Sequence, residues 1–367
     1  MASTQGWVST WRKVLVLPDL PERSVDDRFM DLAVATAWSA RRLVSPRPWV
    51  GAIVVPEGST PEAGPVFGGA TDGRSGPHAE IVALARAGAA ARGSTLYCTL
   101  EPCSHHGATP PCAEAVADAG VARVVVALAD PDTRVAGTGI ELLRGRGVHV
   151  DVGIGADEVA IQLEAYLHHR RTGRPWVVLK LAATLDGKVA APDGSSQWIT
   201  SDEARADAHG LRADSDAVLV GAGTVRADNP SLTVRLPGWE HVGDEPVDDG
   251  VRQPLRVVLG RAPSGARVLP VVEVSGPLTD ILDDLGSRGV VQVLVEGGPT
   301  VAHAFHTAGL VDRYVVYLAP ALAGGDDAKG MLAGSGAATV DDFWRGEIAR
   351  VQQLGPDVRI DVIPRHP

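Results

Sequence analysis

The chain has 367 residues, 45% of them hydrophobic and 22% charged, which is the balance of a globular enzyme long enough for two domains. Its net charge of −11 argues against a nucleic-acid partner, because phosphate backbones are bound by basic surfaces. No apolar run approaches the roughly 20 residues that span a bilayer, so we expect a cytoplasmic protein with no membrane partner.

The first half alternates predicted strands and helices. Residues 1–25 are expected to form an N-terminal extension, and apolar residues then recur at helical spacing from Phe29 to Trp38. Further helices are predicted to begin at His78 and at Cys112. The predicted strands are Val50 to Val55, Thr95 to Leu100, Arg123 to Leu128 and Val148 to Val152. This alternation favours a sheet with helices on its faces.

A linking helix is predicted from Asp157 to Arg171, and the breaker Thr172 to Pro175 ends it. The second half alternates again, so we place a first domain at 26–153, the linking segment at 154–174 and a second domain at 175–367. The stretch from Leu236 to Val251 is expected to be a surface loop. The predicted strands are Trp176 to Leu181, Ala217 to Val220, Leu255 to Leu259, Val291 to Glu296 and Arg313 to Leu318. The predicted helices are Asp202 to Ala213 and Thr300 to Ala308.

One histidine and two cysteines in the first domain form a candidate zinc site. His78, Cys103 and Cys112 would supply an imidazole and two thiolates, which leaves zinc a fourth position for water, as in a catalytic site. Glu80 lies two residues from His78 and can reach the metal's surroundings without binding it. In zinc deaminases a glutamate in this position moves protons between water and the substrate.

A structural zinc site is the alternative interpretation of the same residues. Such a site normally closes with four protein ligands, and the candidates for a fourth are Cys98, His105 and His106. Cys98 lies in the middle of an apolar strand, which favours a core position. We therefore expect a catalytic zinc site.

Here the sequence resembles a known family. Eight residues separate Cys103 from Cys112, within TLEPCSHHG (99–107) and TPPC (109–112), and this is similar to the deaminase half of the bifunctional riboflavin biosynthesis deaminase–reductases. The resemblance implies a cytidine-deaminase-like α/β/α fold. It also implies deamination of a phosphoribosylated diaminopyrimidinone, a small-molecule substrate.

Three positions depart from that family's usual pattern. The family usually has Asn at Arg47, commonly His at Thr71, and Lys or Arg at Ala108. In the family these positions lie around the pyrimidine and its phosphate. Either another cation such as Arg47 or Arg74 replaces the missing one, or the deaminase acts on a related pyrimidine of a specialised pathway.

The second half resembles the same family's reductase, an α/β domain of the dihydrofolate-reductase-like kind. Six motifs occur in the family's order: KLAATLDGK (180–188), SSQWIT (195–200), LRA (211–213), GAGTVRADNP (221–230), LTVR (232–235) and VEGGPT (295–300). The resemblance implies NADPH as the cofactor, with contacts from Ala182, Trp198, Thr224 and Asp228. It implies substrate contacts from Ser196, Arg212, Leu232, Arg235 and Glu296.

Physical reasoning adds roles to these motifs. The glycines at 221–223 and 297–298 remove side chains where a cofactor can approach. The helix after Gly298, which begins with Pro299 and Thr300, can direct its first free amides toward the cofactor pyrophosphate. Arg212 and Arg235 suit a phosphate clamp. Lys180 and Glu296 are candidate catalytic groups for proton transfer, although Lys180 could instead pair structurally with Asp186.

The sequence therefore predicts consecutive deamination and reduction in one chain. Two alternatives stay open, a deaminase domain of altered pyrimidine specificity and a non-catalytic zinc-bearing module. The resemblance also implies a homo-oligomer formed through the reductase domain.

Overall fold

The computed structural model describes residues 23–105, 110–132, 135–235, 241–242, 245–246 and 252–365. Its helices are α1 Val25–Ala37, α2 Ala79–Ala87, α3 Cys112–Asp118, α4 Thr138–Gly145, α5 Ala156–Gln162, α6 Glu164–Thr172, α7 Asp202–Ala213, α8 Ala222–Asp228, α9 Leu278–Ser287 and α10 Pro299–Thr307. Short 3₁₀ turns occur at Trp38–Ala40, Gly88–Ala91 and Val340–Asp342. No helix among the described residues has the length and apolarity that crossing a membrane requires.

The strands follow in chain order. The first domain has β1 Gly51–Val55, β2 Phe67–Ala70, β3 Thr95–Leu100, β4 Arg123–Leu128 and β5 His149–Val152. The second half has β6 Trp176–Thr184, β7 Lys188–Ala190, β8 Ala217–Gly221, β9 His241–Val242, β10 Glu245–Pro246, β11 Leu255–Leu259, β12 Val272–Val274, β13 Gln292–Val295, β14 Arg313–Ala319, β15 Lys329–Gly330, β16 Gly346–Leu354 and β17 Asp357–Pro364.

The first sheet has the order β2-β1-β3-β4-β5. Strand β1 is antiparallel to β2 and β3, whereas β3, β4 and β5 are parallel. All five residues of β1 are buried, as expected for a central strand covered on both faces. Helix α1 lies directly on β1, since a Cβ on Gly51 would stand only 2.0 Å from the Ala33 carbonyl oxygen.

Local sequence signals start α1 and carry the chain into the sheet. Ser24 accepts a hydrogen bond from the Asp27 amide at 3.1 Å, and the Asp27 carboxylate accepts one from the Ser24 amide at 3.0 Å. This reciprocal cap satisfies two amides that a helix start leaves unpaired. The helix therefore begins within the last residues of the predicted extension; residues 1–22 lie outside the described part of the chain.

The second sheet has the order β12-β11-β8-β13-β6-β14-β17-β16. The strands from β12 to β14 are parallel, and β17 and β16 add an antiparallel hairpin at one edge. Apolar clusters cover both faces of this sheet, centred on Phe305 on one side and Tyr317 on the other. The carboxyl ends of β8 and β13 therefore meet at one edge, where α8 and α10 begin.

The single linking helix predicted from Asp157 to Arg171 is wrong. The chain leaves helical geometry at Leu163, with φ −103° and ψ 16°, and this separates α5 from α6. On either side of this break, α5 packs on the first domain and α6 contacts both domains. Gln162 Nε2 donates to the Val34 carbonyl at 2.9 Å, and His169 Nε2 lies 3.2 Å from the Gly286 carbonyl.

Several predicted elements are confirmed residue for residue, namely the strands Thr95–Leu100, Arg123–Leu128 and Leu255–Leu259 and the helix Asp202–Ala213. In the predicted loop from Leu236 to Val251, the structure describes only β9 and β10, which pair antiparallel. The rest of that loop lies outside the described residues.

Candidate active sites

The three predicted zinc ligands converge at the edge of the first sheet. His78 caps the N-terminus of α2, Cys103 follows β3, and Cys112 is the first residue of α3. His78 Nδ1 lies 3.3 Å from Cys112 Sγ and 3.6 Å from Cys103 Sγ. All three ligand atoms lie within 4.8 Å of one another, which is a spacing that one tetrahedral ion can bridge.

The donor set fits zinc with an open coordination position. One nitrogen and two sulfurs match the ligands that zinc prefers, and the described residues add no fourth metal-ligand atom to the group. Cys98 is fully buried, with its Sγ 3.6 Å from the Val125 carbonyl, so it is a core residue. His105 is exposed, whereas His106 lies outside the described residues.

The two thiols have very different proton affinities. A hydrogen bond with Cys112 lowers the pKa of Cys103 to about 4, and the same contact raises the pKa of Cys112. The hydrogen bond to Cys103 also raises the pKa of His78. A thiolate is therefore already stabilised at this position, which favours a bound cation.

Glu80 lies in the first turn of α2 and is only 3% exposed. Burial raises the pKa of its carboxyl group to about 7, although the charge of His78 acts in the opposite direction. A carboxyl group with a pKa near neutrality exchanges protons efficiently at physiological pH. It borders the same pocket as His78 and Cys103.

Glu101 holds the segment that carries Cys103. Its carboxylate accepts hydrogen bonds from four backbone amides, those of Asp130, Gly137, Gly139 and Ile140, at 2.8–3.2 Å. These bonds join the end of β3 to the start of α4. The loop with the metal ligand is thereby fixed by a buried charge that satisfies otherwise unpaired amides.

Thr71 and Arg47, two of the three positions that depart from the family's usual pattern, line the pocket that contains His78 and Glu80. Thr71 Oγ1 accepts from the Val50 amide at 3.1 Å and donates to the Pro48 carbonyl at 3.2 Å, so the hydroxyl is satisfied by the backbone. Arg47 Nη1 donates to the Gly73 and Gly76 carbonyls. Ala108 lies outside the described residues.

Three charged side chains meet in the second domain. Arg212 forms a bidentate pair with Glu296, with Nε to Oε1 at 2.5 Å and Nη2 to Oε2 at 2.8 Å. Burial raises the pKa of Glu296, but the charges of Arg212 and Lys180 outweigh it and leave a value of about 2. Burial lowers the pKa of Lys180.

The structural pairing of Lys180 with Asp186 is wrong. Asp186 accepts instead from Thr184 Oγ1 at 2.5 Å and from the Ala323 and Gly324 amides at 3.1 and 2.8 Å. The ammonium group of Lys180 lies 5.8 Å from the Tyr317 ring centroid, and its opposite charge is Glu296. Lys180 is therefore free of Asp186 and faces the Arg212–Glu296 pair.

Arg212 and Arg235 lie on either side of His209, with a guanidinium nitrogen of each 3.5 Å from a ring nitrogen. Burial, together with the charges of both arginines, lowers the pKa of His209 to about 4, so its ring is neutral at pH 7. Arg235 also donates to Ser231 Oγ at 3.1 Å. Leu232, in the segment before Arg235, is buried and has a left-handed φ of +55°.

The glycines of the predicted cofactor site have two different roles. A Cβ on Gly221 or Gly297 would stand 2.8 or 2.5 Å from Val301, so these two glycines allow α10 to pack against the sheet. Nothing lies within 4 Å of a Cβ on Gly223, which leaves open space there. The Gly298 amide donates to Thr224 Oγ1 at 3.1 Å, and this joins the starts of α8 and α10, where Pro299 and Thr300 lie.

A second group of predicted cofactor and substrate residues borders another pocket. Ser196 and Trp198 line it together with Thr184 and Lys188, and Trp198 is 69% exposed with Arg205 over its ring at 4.5 Å. Of the described residues that line this pocket, none is Ala182, Thr224 or Asp228. Ala182 lies in β6, and Asp228 is the exposed last residue of α8.

Several residues that the fold brings to these sites were not among the site residues predicted from the sequence. Tyr166 donates to Asp130 in the first pocket, Arg170 borders the same pocket, and His209 separates the two arginines of the second. Each reaches its site through a contact between distant segments. Glu101 was also missed, although its position inside the cysteine motif was a usable sequence signal.

Comparison with known proteins agrees with both halves. Residues 23–128 match the cytidine and deoxycytidylate deaminase zinc-binding region, and residues 175–360 match the RibD C-terminal domain. Riboflavin biosynthesis protein RibD of Mycobacterium tuberculosis is 40% identical over 352 residues, covering 94% of this chain and 98% of that protein. RibD of Escherichia coli is 37% identical over 373 residues, covering 92% and 99%.

Solved structures agree over the same length. Acinetobacter baumannii RibD superposes with a TM-score of 0.85 at 35% identity, and the Thermotoga maritima enzyme with 0.80 at 31%; each covers 93% of this chain and 99% of the other. These proteins favour neither altered pyrimidine specificity nor a non-catalytic module. The chain belongs to the RibD family and is a bifunctional deaminase and reductase of riboflavin biosynthesis that uses zinc and NADPH.

Proposed function

We propose that the first domain hydrolyses the 2-amino group of 2,5-diamino-6-(5-phosphoribosylamino)pyrimidin-4-one, with His78, Cys103 and Cys112 as the zinc ligands. The observation that carries this proposal is the convergence of three ligand atoms beside a buried carboxyl group. The Thermotoga maritima structure supports the substrate, since that protein is named as a diaminohydroxyphosphoribosylaminopyrimidine deaminase and reductase.

Glu80 is the proton carrier of this step. When bound, zinc supplies the Lewis acidity that makes a water molecule reactive near neutral pH. Glu80 takes a proton from the attacking water and delivers it to the ring nitrogen. It then moves the second proton to the amine, so that the carbon–nitrogen bond breaks and ammonia leaves. The pKa of about 7 at Glu80 suits both directions of transfer.

The second domain then reduces the ribosyl side chain of the deaminated product to ribityl. NADPH supplies the hydride when it is bound. Lys180 is the better proton donor of the two candidates, because burial lowers its pKa while Glu296 stays ionised against Arg212. Glu296 would instead hold Lys180 and Arg212 in place and accept hydrogen bonds from substrate hydroxyls.

The remaining roles follow the two regions of the second site. Substrate contacts are proposed for Ser196, Arg212, Leu232, Arg235 and Glu296. Cofactor contacts are proposed for Ala182, Trp198, Thr224, Asp228, Gly298, Pro299 and Thr300. Arg212 would contribute to a phosphate clamp only in part, since Glu296 already engages two of its nitrogens.

The domain limits 26–153, 154–174 and 175–367 are proposed with α5 and α6 as the link. We also propose a cytoplasmic location, because the thiolate ligands need a reducing compartment. An acidic chain of this kind is not expected to bind nucleic acid.

A homo-oligomer through the second domain is proposed on the basis of β16. This strand forms an edge of the sheet, and Ile348 and Val351 are 66% and 62% exposed on it. An exposed edge strand presents unpaired backbone groups that can pair with a strand of another chain. A second copy of the same strand would cover both the edge and these side chains.

The Glu80→Gln variant tests the proposed deamination. We expect ammonia release from the diaminopyrimidinone to fall by at least about 10²-fold, because general acid–base transfer is lost. Zinc content and NADPH oxidation with the deaminated intermediate should match the wild type. Wild-type protein with zinc bound that released no ammonia from this compound would contradict the proposal.

A further inference from the structure

Two arginines from distant segments border the pocket of the first domain. Arg47 precedes β1, Arg170 belongs to α6 in the link between the domains, and both line the cavity that contains His78 and Glu80. Arg170 Nη2 lies 3.4 Å from the carbonyl of Pro46, the residue before Arg47. Arg170 therefore contacts the segment that carries Arg47, and we name these two arginines of the shared pocket the cationic rim.

Arg170 is held in place with hydrogen-bonding capacity unused. Its guanidinium carbon lies 5.0 Å from the centroid of the Tyr166 ring. Its Nε is buried, has no hydrogen-bond partner among the described residues, and stands 3.8 Å from Asp132 Oδ2, beyond hydrogen-bond distance. This separation is an ion pair without a hydrogen bond, so the Nε donor stays available to a ligand oxygen at this place.

Arg47 also has capacity to spare. A single nitrogen, Nη1, donates to the Gly73 and Gly76 carbonyls at 3.1 and 3.0 Å. These two bonds fix the direction of the side chain. Within the described part of the chain, no further hydrogen bond engages its Nε or Nη2. The rim therefore offers donors from two guanidinium groups.

The carboxylates of the same pocket do not compete for these donors equally. Glu101 is satisfied by four backbone amides, and Asp130 accepts from the Tyr166 hydroxyl at 3.1 Å and from the Asp132 amide at 2.9 Å. Glu80 lies at the metal end of the pocket. Asp132 also lines the pocket and pairs with Arg170 Nε at 3.8 Å, but this contact is too long for a hydrogen bond. Guanidinium donors therefore remain available at the rim, and such groups bind phosphate in bidentate fashion.

We propose that Arg170, assisted by Arg47, binds the 5′-phosphate of the pyrimidine substrate in the deaminase pocket, so that the segment between the domains supplies a specificity-determining residue of the first reaction. This inference rests on the proposed deaminase substrate. In the alternative, Arg170 serves only as the ion-pair partner of Asp132 and does not bind the phosphate.

The test compares Arg170→Gln with Arg171→Gln in the full-length, zinc-loaded enzyme. Arg171 is the exposed neighbour on the same helix and serves as the matched control. Each protein is assayed for ammonia release from the phosphorylated diaminopyrimidinone ribosylamine and from its dephosphorylated form. Binding of the phosphorylated deaminated product is measured by calorimetry in parallel.

In Arg170→Gln we expect KM for the phosphorylated substrate, and Kd for the phosphorylated product, to rise about 10- to 100-fold. KM for the dephosphorylated substrate should stay the same, and so should the reductase rate. Arg170→Lys should recover part of the preference, because it keeps the charge. Arg171→Gln should resemble the wild type with both substrates.

Equal losses with both substrates would show that Arg170 acts only structurally and would overturn the proposal. An unchanged KM for the phosphorylated substrate would overturn it as well. If wild-type enzyme deaminated neither compound, the proposed function itself would fail, and this result is distinct from a wild type that is active but indifferent to phosphate.

Discussion

At the scale of single residues, the second site depends on a buried ion pair. Glu296 and Arg212 have side chains only 8% and 15% exposed. Buried pairs add little net stability compared with apolar residues, but removing one partner leaves an uncompensated charge. The pair therefore fixes the geometry around Lys180 more than it strengthens the fold.

The pKa of Glu296 predicts how its contribution to stability changes with pH. Its pKa falls from an ordinary 4.5 to about 2 in the folded protein, so the stabilisation is complete above 4.5 and is lost as the pH falls toward 2. The full contribution is on the order of 3 kcal/mol.

We expect the difference in the free energy of unfolding between wild type and Glu296→Gln, measured by urea denaturation, to shrink over this pH range. Exposed Glu203 provides the control, and Glu203→Gln should show almost no difference from wild type at any pH. If the difference in the free energy of unfolding between wild type and Glu296→Gln stayed constant from pH 5 to 2, the neighbours of Glu296 would not lower its pKa.

Lys180 predicts the pH profile of reduction. Because burial lowers its pKa below the ordinary 10.5, the protonated form is lost at a lower pH than for an exposed lysine. The rate of NADPH oxidation with the deaminated intermediate should therefore decline with a midpoint below pH 10.5. Lys180→Met should remove this decline together with most of the rate. A profile in Lys180→Met with the wild-type midpoint would assign the titration to another group.

At the scale of elements, Glu101 joins the metal-bearing loop to the N-terminus of α4. Glu101→Ala should lower zinc affinity about 10- to 100-fold, because groups that orient metal ligands have effects of this size. Competition with a chromogenic chelator measures it. Glu141 is an exposed glutamate in the first turn of α4, and the control variant Glu141→Ala should bind zinc with wild-type affinity. Equal affinities in the two variants would mean that Glu101 does not orient Cys103.

Elements with a strong local pattern could be predicted from sequence. The strands β3 and β4 are runs of apolar and β-branched residues with breakers on each side, and burial on both faces makes such runs conspicuous. The metal site was equally accessible, because His78, Cys103 and Cys112 lie in short motifs at element boundaries. Local chemistry alone predicted a metal site at these residues, and the structure brings their ligand atoms together.

Features that depend on distant contacts could not be predicted. The sequence from 156 to 172 has continuous helical character, and its break at Leu163 depends on the fold, in which α6 contacts both domains. The hairpin β16–β17 was missed because β16 is largely exposed and lacks a buried face. Arg170 and His209 are ordinary surface residues by type, and only the fold brings them to a site.

At the scale of the whole molecule, ion pairs connect the two domains. Asp214 at the end of α7 accepts from Arg42 Nε at 2.7 Å and lies 3.0 Å from Arg41 Nη2, while Arg313 pairs with Glu164 at 2.6 Å. These pairs are partly buried and combine with the packing of α5 and α6. These contacts join the deaminase and reductase domains, and α6 also contributes to the first pocket.

The exposed edge strand predicts the assembly state. The double variant Ile348→Glu/Val351→Glu should change a wild-type dimer into a monomer, because two charges oppose burial of β16 against a second copy. Light scattering after gel filtration measures the mass. Ile161→Glu, which alters an equally exposed apolar residue on α5, should leave the dimer intact. A monomeric wild type at micromolar concentration would contradict the proposal.

The most direct test of the central claim is X-ray absorption at the zinc edge of the metal-loaded enzyme. Ligation by His78, Cys103 and Cys112 predicts two sulfur neighbours at about 2.3 Å, one imidazole nitrogen and one light atom from solvent. Cys98→Ser should leave this spectrum unchanged. A third sulfur neighbour, or a second imidazole, would close the fourth position with protein and contradict a catalytic zinc beside Glu80.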